Sequence, residues 1–387
     1  MRKSILIIAA VLMVAVTIPA FAELQNVTVG GALRIRGNWN HGDDLAGRPN
    51  PDDNISFVEQ RTTVNVKADF TDMVSAYIEL ENYGAWGRND DGVDVYEAYI
   101  EANEMYGHPL RLRIGRQELV FGSEWLLGNE SSNSLFMGLS YDAIRLTYAT
   151  DTVSVDGFYA KLVERSALEE DGDLDLYGIY ASYLGIEDVV IDAYWIYLRD
   201  ATAKNSVMRV RRQGFLDWRR VAITRGDVVD THTFGLRGAG TLGAFDFEAE
   251  AAYQHIDIDN NDNDSDSWAA NLELGYTFDT TCTPRISLGA AYFEDDDDDL
   301  AFNRLASDWE YSLIIDKLGT LTGFWTLNAG VSAMVTESIE LDLNVAYFEA
   351  DEGTRRDDDE MGWEIDLCAV YDYSEDLSFE AGYTHFF

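Results

Sequence analysis

The chain is short of cysteine, of positive charge and of long apolar runs, and each shortage removes a class of protein. Its two cysteines, Cys282 and Cys368, lie far apart in 387 residues, so no disulfide framework is indicated. Lysine and arginine number 28 against 70 aspartates and glutamates, a formal charge of −42, which excludes a general nucleic-acid binder. Beyond Ala22 no run approaches the roughly 18 apolar residues of a membrane helix. The histidines, His41, His108, His232, His255 and His385, show neither HExxH spacing nor a Cys/His cluster, so no metal site is indicated. No GxSxG elbow, phosphate loop or GxGxxG turn occurs in a strand-to-helix context. No catalytic residue and no cofactor is selected, and an enzyme is not expected.

What the chain does have begins with a charged pair, Arg2 and Lys3, an apolar stretch from Ile5 to Ile18 and the small-x-small site Ala20-Phe21-Ala22. That order predicts a secretory signal peptide over 1–22 and one mature domain over 23–387. No cysteine follows the site, which argues against a lipoprotein. Loss of Arg2 and Lys3 leaves 26 basic residues against 70 acidic ones, a balance of −44. A hydrophobic content of 47% is nevertheless too high for a disordered acidic chain.

The period is two. In RTTVNVKADF, Arg61, Thr63, Asn65, Lys67 and Asp69 alternate with Thr62, Val64, Val66, Ala68 and Phe70, the pattern of a strand with two unlike faces. Further runs lie near 27–39, 75–81, 93–102, 110–120, 141–149, 153–162, 174–184, 189–198, 231–239, 244–255, 268–278, 285–293, 325–335, 339–348, 361–373 and 377–387. Short turns at 71–73, 150–151, 185–188, 241–243, 336–338 and 374–376 alternate with long polar loops at 39–57, 121–140, 164–173, 200–230, 259–267 and 294–324. That asymmetry, with Trp39, Trp86, Trp195, Tyr197, Trp268, Tyr292 and Trp325 near strand ends, predicts a transmembrane antiparallel β-barrel of about 16–18 strands in an outer membrane, its long loops outside. The acidic runs Glu294 to Asp299, Asp357 to Glu360 and Asp257 to Asp266 then fall in outside loops. The last lacks the central Gly and closing Glu of an EF-hand and reads as a solvated loop that collects divalent cations loosely.

A barrel wall must be apolar toward lipid and can be polar toward the lumen. Parity therefore sends Leu33, Ile35, Leu110, Leu112, Ile114, Ile144 and Leu146 outward. It sends Arg34, Arg36, Arg61, Lys67, Arg111, Arg113 and Arg145 inward as candidate pore-lining residues, with Lys161 a further candidate. Glu79, Glu81, Glu97 and Glu101 face inward on intervening strands, so two arrangements stand open: a basic strip that guides an anion, or a ladder of mutually neutralised pairs. Arg116 breaks parity, which predicts a bulge or an early end to the membrane span near Gly115.

Gly115-Arg116-Gln117-Glu118-Leu119, the following Gly122 and Leu127-Gly128, and Tyr141-Asp142-Ala143-Ile144-Arg145-Leu146 resemble the core pattern of the alginate export family of outer-membrane barrels. Asp94 to Glu101, Phe158 to Leu162, Asp308-Trp309-Glu310-Tyr311 and Ala381 to Phe387 also resemble it. The resemblance implies a channel of about eighteen strands with an arginine-lined lumen, and single-chain bacterial barrels usually have an even number. Seventeen runs are found, so a strand is expected inside 200–230, the alternatives being an unusual closure or an incomplete chain. The expected function is an outer-membrane channel, of porin or export type, for passive passage of hydrophilic, anionic solutes such as uronate saccharides or alginate-like polymer. A general porin with acidic loops and cation preference, or a structural or adhesin barrel, are the other readings. Its expected partners are outer-membrane lipid and a hydrophilic solute or polysaccharide, and the loop bearing Trp125 and Leu127 is expected to fold inward beside Arg111 and Arg145.

Overall fold

The computed structural model describes residues 25–40, 55–88, 92–129, 136–164, 172–202, 207–212, 217–222, 228–259, 264–295, 300–314, 323–351 and 360–387. The expected signal peptide, and the acidic residues within 260–263, 296–299 and 352–359, lie outside the described residues. The wall is one antiparallel sheet of 17 strands. Its first arc is β1 (Asn26–Asn40), β2 (Ile55–Thr71), β3 (Val74–Ala85), β4 (Asp94–Ala102), β5 (Leu110–Gln117), β6 (Tyr141–Ala149), β7 (Val153–Val163), β8 (Leu174–Ile186) and β9 (Val189–Asp200). A separate hairpin follows, β10 (Val207–Arg212) and β11 (Asp217–Ala222). The second arc is β12 (Val229–Leu242), β13 (Phe245–Ile258), β14 (Ser265–Thr277), β15 (Arg285–Phe293), β16 (Phe324–Thr336), β17 (Ile339–Ala350), β18 (Glu360–Ser374) and β19 (Leu377–Phe386).

The strand expected inside 200–230 is therefore not a wall strand. β9 pairs with β12 from Val229↔Asp200 to Gly240↔Val189, which leaves no slot between them, and β10 and β11 bond to each other. With 17 strands, β1 and β19 run the same way. No ladder joins them among the described residues.

The alternation seen in the sequence becomes two faces. Val29, Leu33 and Ile35 on β1, Val64 on β2, Ile78 on β3, Ile144 on β6, Leu236 on β12, Leu288 on β15 and Leu327 on β16 are exposed on the outer face, an apolar band no water-facing surface would tolerate. Rings mark its ends. Trp195 and Tyr197, Trp268 and Tyr292, and Trp325 and Tyr347 pack at the long-loop end. Phe245, Tyr276, Phe278, Tyr371 and Phe379 pack at the short-turn end. Phe245 and Tyr253 close the two ends of the outer face of β13, about 26 Å apart along the strand, comparable with the roughly 25 Å apolar band of outer-membrane barrels.

Of the two expectations at Arg116, a bulge or an early end to the membrane span, the bulge is absent and Arg116 is one residue from the end of its strand. β5 pairs with β4 and β6 without a register shift, and Arg116 stands on the outer face. Its Nε and Nη2 each lie 2.9 Å from Asp142 Oδ1 and Oδ2; the pair neutralises a charge that parity alone leaves facing lipid. Gly115 takes φ +129°, and a Cβ there would collide with the carbonyl of Ala98, so only glycine fits.

Candidate functional site: the inner face and the loops that cross it

The seven cations expected inward all lie on the inner face of the first arc, and the structure sets four of them opposite one another as two couples. Arg34 stands directly opposite Arg61 on β1 and β2, and Arg113 directly opposite Arg145 on β5 and β6. Like charges so placed repel. Carboxylates on the flanks compensate: Arg36 Nε reaches Glu59 at 2.7 Å, Arg61 Nε reaches Glu81 at 2.5 Å and Arg145 Nε reaches Asp156 at 2.7 Å. Arg113 donates twice to Glu101 Oε2, at 2.9 and 2.6 Å, and Lys67, half exposed, reaches Asp69 at 3.2 Å. Mutual neutralisation is thus realised for these five. Arg111 differs, since it reaches Thr147 Oγ1 only at 3.5 Å, the outer limit of hydrogen bonding. Aromatic faces hold the guanidinium planes: Arg34 and Arg36 lie 4.8 and 4.4 Å from the Phe136 ring centre, and Arg113 lies 4.2 Å from that of Tyr99.

Lys161 is not part of this strip. It pairs in register with outward-facing Asp142, and its Nζ is held by Asp173, Asp175 and Glu164 at 2.7, 3.0 and 3.3 Å. Parity counted from buried Phe158 settles the side, because residues 158 and 161 differ by an odd number.

Two inward cations on the second arc were not singled out from sequence. Arg237 on β12 binds Asp192 at 2.8 Å and Glu248 at 2.9 Å, with Glu250 at 3.9 Å. Arg285 on β15 binds Asp246 at 2.5 Å and Glu273 at 2.7 Å. Outward Leu236 and Ile286 point both inward by the same rule. Glu340, Asp342, Glu364, Asp366 and Glu380 add further carboxylates to the inner parity of β17, β18 and β19.

The loop after β5 folds inward as expected, and a second loop, after β15, meets it there. Residues 300–314 were expected outside. Instead Leu300, Phe302, Arg304 and Ser312 are buried, because phenylalanines at the inner strand ends, Phe293, Phe324 and Phe348, offer an apolar seat. Trp125 packs on Phe293 and Phe302 with ring centres 5.6 and 6.4 Å apart. The loops zip together: Leu127 bridges Ala306, Gly128 N donates to Ala306 O at 2.8 Å, and Asp308 N donates to Glu124 O at 3.0 Å. Trp125 Nε1 donates to Tyr311 Oη at 2.7 Å, and Tyr311 donates on to Asn271 at 2.9 Å.

Each loop is tied to the wall. Phe121 stacks on Phe158 and Tyr180, both at 5.0 Å. At the return, Gly138 has φ +75°, and a Cβ there would lie 2.5 Å from Tyr96 Oη and 2.8 Å from Arg61 Nη2. Glu124, Phe136 and Leu305 also hold left-handed backbone, a conformation that costs bulky residues free energy and persists where surroundings enforce it. Burial raises the Glu124 carboxyl above the usual range, the neighbouring Asp308 and Glu118 carboxylates add to this, and the Asn129 N–H at 3.0 Å partly offsets it.

A sequence model described as alginate export matches residues 25–306. No curated protein matches the chain in sequence. Among solved structures, the fold is similar to OccK8 (OprE) of Pseudomonas aeruginosa, with TM-score 0.59 and 13% identity over 92% of this chain and 94% of that one. It is similar to OccK5 (OpdH) of the same organism, with TM-score 0.58 and 10% identity over 93% and 92%. An anion-selective porin from Comamonas acidovorans gives TM-score 0.51 and 13% identity over 85% and 90%. With its wall, its two ring belts and a family match over most of its length, the chain belongs to the alginate export family and is an outer-membrane β-barrel channel.

Proposed function

We propose that the barrel passes hydrophilic, carboxylate-bearing solutes, such as uronate saccharides or an alginate-like polymer, passively and without catalysis, and that an N-terminal signal peptide over 1–22 directs its export. The observation that carries this reading is the cluster of Arg111, Arg113 and Arg145, in which Glu101 and Asp156 make direct ion pairs with Arg113 and Arg145 and Arg111 reaches only Thr147. Guanidinium stays charged at any relevant pH and offers bidentate contacts to carboxylates. Arg34, Arg36, Arg61 and Lys67 extend the same wall toward β1. The carboxylates of the second arc favour a different reading, a porin that tolerates or prefers cations.

Reversal potential in a planar bilayer under a salt gradient separates the two. Under the proposal the wild type prefers anions and is blocked by oligouronate, and Arg111→Glu with Arg113→Glu moves selectivity toward cations and weakens the block. Cation preference in the wild type, or unchanged selectivity and block in the assembled double variant, overturns the anionic reading and leaves the arginines as structural pairs.

A further inference from the structure

The wall strands carry three outward-facing cations among the described residues, and all three lie at one height. Arg116 on β5, Lys161 on β7 and Arg199 on β9 belong to a single cross-strand row in which charge alternates: Arg116↔Asp142↔Lys161↔Asp175↔Arg199↔Asp230. Like charges recur at every second strand, roughly 10 Å apart. The next row toward the middle of the membrane is aromatic. Tyr159, Tyr177, Tyr197 and His232 stack in sequence with ring centres 5.0, 5.5 and 4.4 Å apart. Two of these rings point their hydroxyls back at the charged row, Tyr159 to Asp175 at 3.0 Å and Tyr197 to Asp230 at 2.7 Å.

Amphipathic rings settle at the boundary between hydrocarbon and headgroups, so a charged row one step above them lies at headgroup level. The rest of the rim is different. At the same end of the outer face β14 and β17 present Asp266 and Glu349, and no wall strand from β12 to β19 has an outward Lys or Arg among the described residues.

We propose that the β5 to β9 sector of the outer face docks phosphate-bearing headgroups of outer-leaflet lipid. Arg116 is the best placed to do so. Its side chain is 42% exposed, and its contacts to Asp142 and to the Val95 carbonyl engage three of the five N–H donors a guanidinium has. Arg199 supplies the second cation, between Asp175 and Asp230 in register. Lys161, saturated by three carboxylates, holds the row in place and contributes no free donor. The interleaved carboxylates keep the cations from repelling one another and fix them at the interface, while the acidic sector repels the same headgroups. Anionic lipid then gathers on one side of the barrel.

The test uses the full barrel reconstituted in phosphatidylcholine containing a minor fraction of phosphatidylglycerol. Native mass spectrometry should find phosphatidylglycerol retained over phosphatidylcholine. Arg116→Gln with Arg199→Gln should lower that preference, by at most roughly fivefold per cation removed, and free inorganic phosphate should not reproduce the retention. Equal retention by wild type and variant, or displacement of the lipid by inorganic phosphate alone, overturns the proposal. A second measurement leaves the charged row intact. In a background with Cys282→Ser and Cys368→Ser, a fluorophore at Tyr177→Cys should be quenched more strongly by brominated phosphatidylglycerol than one at Tyr347→Cys, and equal quenching at both positions also overturns it.

Discussion

The two arcs of the barrel share one outer face and differ inside. From β1 to β7 the inner face carries seven cations, four of them in two opposed couples, with carboxylates on their flanks. From β12 to β19 it carries Arg237 and Arg285, each clasped by two or more carboxylates, among acids such as Glu340, Glu364 and Glu380 that make no ion pair among the described residues. The outer face is fixed by lipid and admits little variation. The inner face meets water and can specialise. A cation clasped by several buried acids is structural, because its loss strands charges in a poorly solvated site, whereas Arg111, with one long contact, can be spared by the fold and used by a solute.

The largest effect expected from this contrast is on stability. Arg237→Met leaves Asp192 and Glu250, both nearly fully buried, without their cation and should cost about 3–5 kcal/mol. Arg111→Met should change stability by no more than about 0.5 kcal/mol while altering conductance. Denaturant unfolding of the two variants in lipid vesicles measures the difference, and equal destabilisation would erase the distinction between the arcs.

The inner loops join the arcs, since one springs from β5 and the other from β15. Trp125→Phe keeps an aromatic ring but removes the donor to Tyr311 and part of the buried ring volume, which should weaken the seam by about 1 kcal/mol or more. Single-channel recording should show a larger open fraction or higher conductance. No change would mean that the seam does not limit passage.

The smallest expected effect is a dependence on pH. The Glu124 carboxyl is raised in place above its ordinary value, so the folded seam binds its proton more tightly than an opened loop does. The seam is therefore most stable below the ordinary glutamate range and loosens as pH rises through the raised value. Conductance should fall when a neutral solution is acidified, and Glu124→Gln should flatten that response. A variant that keeps the wild-type pH profile would assign the response to another group.

How far the sequence reached depended on whether a feature is local. Seventeen strands, their turns and the inward parity of Arg34, Arg61, Arg113 and Arg145 follow from a period of two, because successive residues of a strand must point to opposite faces. The outer face follows as well, since lipid accepts only one kind of side chain. The same rule places Arg237 and Arg285 inward and Lys161 outward. What alternation cannot carry is partnership. That Arg116 answers Asp142, that Lys161 falls to Asp173 and Asp175, and that Arg61 is held by Glu81 depend on register between strands, which is fixed by the whole ladder and by its bulges. The fate of 300–314 was likewise beyond the sequence. An acidic, polar connection reads as solvent-exposed until the wall closes and brings Phe293, Phe324 and Phe348 together with Trp125, and only that apolar seat, built from residues far apart in the chain, draws the second loop inside.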